Sequence, residues 1–100
     1  MDDITFIKDY LIRYKSALFE TEVSHELINM KEMLLKIKEN GKKVIIVGNG
    51  GSAAIASHVA VDFTKQGGVR AINFNEADLI TCFANDYGYE HWISKAIEFY

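Results

Sequence analysis

Apolar residues at Ile4, Ile7, Leu11, Tyr14 and Leu18 recur at alternating steps of three and four, which aligns them along one stripe of an amphipathic helix. A second stripe, Leu27, Met30, Leu34 and Ile37, predicts a second helix, with Ser24 as its N-cap and Asn40-Gly41 closing it. The pattern then changes. Val44 to Val47 is an unbroken apolar run rich in β-branched residues, the signature of an inner parallel strand buried on both faces. It ends in Gly48-Asn49-Gly50-Gly51, and Ser52 is placed to cap a helix reaching about Lys65, with Ile55, Val59 and Phe63 on one side among small alanines. Gly67-Gly68 breaks that helix and Val69 to Phe74 reads as the next strand. Asn75 and Asp78 are spaced as a capping pair for a helix over Glu76 to Phe83. Asn85 to Tyr89 is a polar interruption before a last apolar face at Trp92, Ala96, Ile97 and Tyr100.

The predicted order is helix, helix, strand, helix, strand, helix, helix. Two strands joined by a crossover helix make a right-handed α/β unit. They do not make a finished sheet, which typically holds about five or six strands. The expectation is therefore that these 100 residues form the front part of one longer domain, with residues 1–41 as leading helices and 42–100 as the start of the α/β core. The leading stripes suit either the sheet or another subunit. One short sheet cannot cover both, which favours subunit packing.

Composition narrows the function classes. A formal charge of −3, from 11 basic and 14 acidic residues, offers no general attraction for polyanions, and Lys42-Lys43 is a pair rather than a basic track, so no nucleic-acid role is expected. The longest wholly apolar run is far too short to span a bilayer, and acidic residues stand where an export signal would be positive, so a cytoplasmic location is expected. The single cysteine, Cys82, excludes an internal disulfide. Leu79, Ile80 and Phe83 beside it predict a buried small hydrophobe.

The glycine turn carries the first chemical signal. A strand running into a glycine-rich turn and a helix start places backbone N–H groups where an oxyanion can meet them, and the helix dipole favours a phosphate. A tight turn without a ligand is the competing reading. The spacing matches the dinucleotide fingerprint only partly, with Ala53 at its last glycine position and no acidic residue in Gly68 to Phe74 to hold a ribose. No Gly-Lys-Ser/Thr follows, so a nucleotide P-loop is excluded. Small phosphorylated metabolites outrank nucleotides. On the crossover helix, His58 and Asp62 lie four apart on one face. They suit two divalent-metal ligands, or a carboxylate base beside an imidazole, or simply a surface ion pair. Asn85 and Asp86 could bind sugar hydroxyls, although a turn would select the same residues.

Taken together, Gly48-Asn49-Gly50-Gly51-Ser52, His58-Val59-Ala60-Val61-Asp62 and Asn85-Asp86-Tyr87-Gly88-Tyr89 resemble the sugar isomerase domain, specifically the phosphoheptose isomerase family. The resemblance covers nearly the whole chain. It implies a flavodoxin-like parallel sheet flanked by helices, a homotetramer, and conversion of sedoheptulose 7-phosphate into glycero-manno-heptose 7-phosphate for bacterial surface polysaccharides. It also implies that Asn49, Gly50, Gly51, Ser52, His58, Asp62, Asn85 and Asp86 line the substrate site. His58 and Asp62 would match a divalent-metal site, usually zinc (Zn2+), with Asp62 also serving as acid/base. A serine-rich phosphate loop and a late glutamine and histidine are expected after Tyr100, so this stretch alone is not expected to catalyse. The family usually has glutamate where this chain has Asp62, a loss of about 1.5 Å of reach that matters because proton transfer needs hydrogen-bond distance. An isomerase for a related phosphosugar, a non-catalytic phosphosugar-binding protein and a purely structural module are the alternatives.

Overall fold

A computed structural model describes all residues from Met1 to Tyr100. The chain divides into two compact units, Met1–Lys31 and Glu32–Tyr100, with the boundary inside the second helix.

The first unit contains helix α1 (Asp3–Phe19) and the beginning of α2 (Ser24–Glu39). Asp2 caps α1, its carboxylate accepting from the Thr5 N–H at 3.0 Å and from the Thr5 hydroxyl at 2.8 Å. These bonds hold the Asp2 carboxyl below the usual aspartate range. Ser24 is not the cap of α2. It is the first helical residue, and the Glu22 carboxylate accepts its N–H at 2.7 Å, so a longer acidic side chain reaches forward to satisfy a donor at the helix start in place of a serine cap. The predicted α1 stripe is present but uncovered, with no buried residue along the helix and Ile7 and Leu11 each more than half exposed.

The second unit is mostly helical around a small parallel sheet. Strand β1 (Val44–Ile45) leads through the crossover helix α3 (Gly51–Lys65) to β2 (Ala71–Ile72), then α4 (Ala77–Tyr87), a single 3-10 turn (Tyr89–His91) and α5 (Trp92–Phe99). The predicted order of elements is present, in an arrangement compatible with an α/β fold. Val44 aligns with Ala71 and Ile45 with Ile72, held by Val44 N–H to Arg70 C=O at 2.8 Å and Ile46 N–H to Ile72 C=O at 2.9 Å. Both strands are shorter than predicted and half-buried rather than enclosed, because a two-strand ladder leaves each strand one open edge.

The α2 terminus closes as expected, with Lys42 N–H returning to Ile37 C=O and Gly41 N–H to Lys38 C=O. The Arg70 guanidinium then donates to Gly41 C=O, and the Lys38 ammonium to Gly67 C=O at 3.2 Å. Each cation thus satisfies a carbonyl just beyond the end of the other segment's helix.

The core centres on Phe74, Trp92 and Ala96, packed by Ile45, Val47, Ile72, Leu79, Ile80, Phe83, Ala84 and Ile93. On α3 the buried line is Ala56 and Ala60, whereas Ile55 is about two-thirds exposed (65%). Methyl-sized side chains let the α3 backbone approach its neighbours, so the alanines rather than the isoleucine mark its inner face. Cys82 is exposed, contrary to expectation, because Leu79, Ile80, Phe83 and Ala84 already occupy the core face of α4. No helix is long and apolar enough to cross a membrane.

Candidate phosphosugar site

Parallel pairing brings the glycine turn and the end of β2 together. The glycine turn leaves the C-terminal end of β1, Asn75 follows the C-terminal end of β2, and parallel strands bring those ends to one edge of the sheet.

Gly48 is required by close approach. A Cβ there would stand 2.6 Å from both the carbonyl carbon and oxygen of Ser52, and 2.8 Å from its Cβ. Gly50 is required by conformation: at φ +55° and ψ −123° it is the N-cap of α3, a geometry that L side chains rarely adopt. Ser52 is therefore the second residue of the helix rather than its cap, and its hydroxyl remains exposed. Several amides at this turn are already satisfied. Ser52 N–H donates to Asn49 C=O at 3.0 Å, and those of Ala53 and Ala54 donate to Gly50 C=O at 3.1 and 3.2 Å. The N–H groups of Asn49, Gly50 and Gly51 have no acceptor within the chain. Gly51 has no neighbouring atom within 4 Å of a would-be Cβ and no positive φ, so nothing in the fold demands glycine there. The open space lies beside the three unpaired donors.

Two residues outside the predicted site hold this turn in place. The Tyr89 hydroxyl donates to Asn49 Oδ1 at 2.9 Å across 40 residues of sequence. The Asn75 side-chain amide donates to Ala53 C=O at 2.7 Å and to the Ser57 hydroxyl, tying the end of β2 to the first turns of α3. Committed in this way, Asn75 does not cap α4; Glu76 does, accepting from Leu79 N–H at 2.9 Å. Asparagine after a strand, on the same sheet edge as the glycine turn, was a usable signal for Asn75. No local signal could have found the Tyr89 contact.

His58 Nε2 and Asp62 Oδ2 are 3.4 Å apart on α3, with side chains 79% and 54% exposed. Both are open to a ligand. Asn85 and Asp86 do not interrupt the chain as predicted: α4 continues through them and stops only at Gly88. The Asn85 amide reaches Asp86 Oδ1 at 3.4 Å, and Asp86 Oδ2 lies 3.6 Å from Cys82 Sγ. The Asp86 charge, with lesser contributions from desolvation and the hydrogen bond, raises the Cys82 thiol above its ordinary range. The predicted residues thus fall into three groups: the turn, the His58–Asp62 pair and the Asn85–Asp86 pair. No side-chain hydrogen bond joins one of these groups directly to another, and Tyr89, just past the third, links to the first.

Comparison with known proteins then bears on the family. Over 86 residues, 81% of this chain, the sequence is 40% identical to the phosphoheptose isomerase of Fusobacterium nucleatum, covering 44% of that protein. It is 34% identical over 100 residues to the phosphoheptose isomerase of Helicobacter pylori, covering 92% of this chain and 52% of the relative. The chain belongs to the phosphoheptose isomerase family. A third phosphoheptose isomerase, from Aneurinibacillus thermoaerophilus, is 31% identical over 106 residues, covering 93% of this chain and 52% of the relative. The chain spans about half the length of the curated phosphoheptose isomerases it matches. No protein-family model and no solved structure matches it.

Proposed function

We propose that the protein containing this chain is an isomerase interconverting sedoheptulose 7-phosphate and D-glycero-D-manno-heptose 7-phosphate, for bacterial surface polysaccharide synthesis in the cytoplasm. What carries the reading is the arrangement of α3 in a chain of this family: three unpaired amides at its N-terminal turn, and an open carboxylate–imidazole pair further along the same helix. Residues 1–100 are read as the N-terminal part of one sugar isomerase domain whose complete sheet is flavodoxin-like.

Aldose–ketose isomerisation removes a proton from the carbon beside a carbonyl, passes through a cis-enediol and returns a proton to the neighbouring carbon. Asp62 is the proposed base, exposed enough to reach a substrate and held by His58. The Asn49 side-chain amide and the free turn amides would donate to substrate oxygens, where negative charge is carried or develops. Asn85 and Asp86 offer polar groups for sugar hydroxyls.

The donor set also fits part of a zinc site. An imidazole nitrogen and a carboxylate oxygen 3.4 Å apart match two ligands of a tetrahedral ion, whose ligand atoms are about 3.3 Å apart when bonds are near 2.0 Å. No third His, Cys, Asp or Glu joins them in this chain, so further ligands would come from elsewhere in the protein. When bound, the ion would polarise the substrate carbonyl. The uncovered stripe of α1, with Leu27 and Met30 at the start of α2, supports self-association through the leading helices, which we read as a homotetramer.

The decisive experiment is Asp62→Asn in the full-length protein, followed by deuterium exchange from solvent into the substrate carbon beside the carbonyl. Exchange should be abolished while sugar-phosphate binding survives. Exchange retained in the variant would remove Asp62 from the role of base, and binding without turnover in the unaltered protein would favour a sensor.

A further inference from the structure

The Tyr89–Asn49 contact is the sole side-chain bond between the glycine turn and the segment after α4, and the reading above does not use it. A carboxamide presents an acceptor at one end and two donors at the other, and rotation about its last torsion exchanges them. Left alone, Asn49 could therefore offer either end to a ligand. An acceptor presented to a phosphate or an enediolate would repel it.

We propose that Tyr89 is a positioning residue that fixes Asn49 as a hydrogen-bond donor to the sugar phosphate, an inference that rests on the phosphosugar reading of the turn. The phenol O–H donates to Oδ1 at 2.9 Å; because a phenol is a better donor than acceptor, this pairing is favoured over the flipped one in which the phenol would accept from Nδ2, and the acceptor end is occupied. What remains of the side chain is Nδ2 with its two protons, beside the unpaired N–H groups of Asn49, Gly50 and Gly51. The turn then presents donors from side chain and backbone alike, as an oxyanion requires and a cation would not tolerate. Gly88 ends α4 and the 3-10 turn begins at once, so Tyr89 enters from a short rigid segment rather than from a long loop. Tyr89 is 58% exposed and lies outside the core, so removal of the hydroxyl leaves the core packing intact.

Tyr89→Phe, Asn49→Ala and the double variant of the full-length protein test this with two readouts. Without ligand, the Asn49 side-chain amide resonances should shift in Tyr89→Phe and exchange faster with solvent, while thermal unfolding stays unchanged. With sedoheptulose 7-phosphate followed by calorimetry, Tyr89→Phe should bind about three- to tenfold more weakly, the loss expected for one hydrogen bond. Asn49→Ala should lose at least as much, and the double variant should bind no worse than Asn49→Ala. Asn49 resonances unmoved by Tyr89→Phe would overturn the positioning role. Additive losses would also overturn it, since Tyr89 would then be touching the ligand itself. Should the Asn49 amide respond while the unaltered protein binds no sugar phosphate, the function proposed above fails, and the role of Tyr89 toward that ligand fails with it.

Discussion

Adding one methyl group at Gly48 and, separately, at Gly51 should have opposite effects on stability although only two residues separate the sites. At Gly48 the new Cβ would be 2.6 Å from two backbone atoms of Ser52, and backbone in the first turn of a helix cannot swing aside as a side chain tip can. Overpacking costs about 1–3 kcal/mol, and with backbone as the obstacle we expect the upper end, about 3 kcal/mol. A unit the size of Glu32–Tyr100 has roughly 3–10 kcal/mol of stability in total, so this loss is a third of it or more. The melting temperature should fall by roughly 12–24 °C. Gly51→Ala meets no atom within 4 Å, needs no positive φ and lies in the first helical turn, so it should stabilise by about 0.5 kcal/mol through the unfolded chain. Thermal and urea unfolding followed by far-ultraviolet circular dichroism would read both. If Gly48→Ala melts within 3 °C of the unaltered protein, or if the two variants fall together, the close-approach argument is wrong. The same Gly51→Ala protein, though stable, should bind sugar phosphate more weakly because its methyl enters the space beside the unpaired amides.

Replacing Asn75 by Ala should destabilise the second unit by about 1–2 kcal/mol, since two hydrogen bonds between β2 and α3 are lost; an unchanged urea midpoint would refute that link. Cys82 should alkylate slowly for an exposed thiol, because a raised pKa leaves less thiolate at a given pH. Asp86→Asn should accelerate iodoacetamide labelling at pH 8 several-fold, and equal rates would show that the carboxylate does not govern the thiol. Ile7→Glu with Leu11→Glu should shift the protein to a smaller assembly in sedimentation, whereas an unchanged sedimentation coefficient would argue against association through α1.

The succession of elements was legible because it rests on local periodicity: steps of three and four at Ile4 to Leu18, an unbroken run at Val44 to Val47, glycines between them. The placing of residues at element ends was less so. Asn75 and Ser24 have the chemistry of caps, yet Glu76 and Glu22 accept the bonds, because Asn75 is captured by α3 and a glutamate two residues before Ser24 is long enough to reach it. Cys82 sits among apolar neighbours in sequence, but successive helical residues point about 100° apart, and its direction is outward. For the site, the turn and the His58–Asp62 pair follow from short spacings. The Tyr89 contact spans 40 residues and depends on how the second unit closes, which no local pattern encodes.

Helix α3 is fastened at both ends, by Asn75 at Ala53 and Ser57, and by the Thr64 hydroxyl, which bonds Ala60 and Ala71 C=O. Fastened so, it works as a ruler. The step from Ser52 to Asp62 is set by a helical rise of about 1.5 Å and a rotation of about 100° per residue. Substitutions along its outer face leave that ruler unaltered, but a single inserted or deleted residue between Ser52 and His58 would rotate the pair by about 100° relative to the turn. Sequence drift in this region can therefore change what the site recognises, while the length of α3 is not free to change.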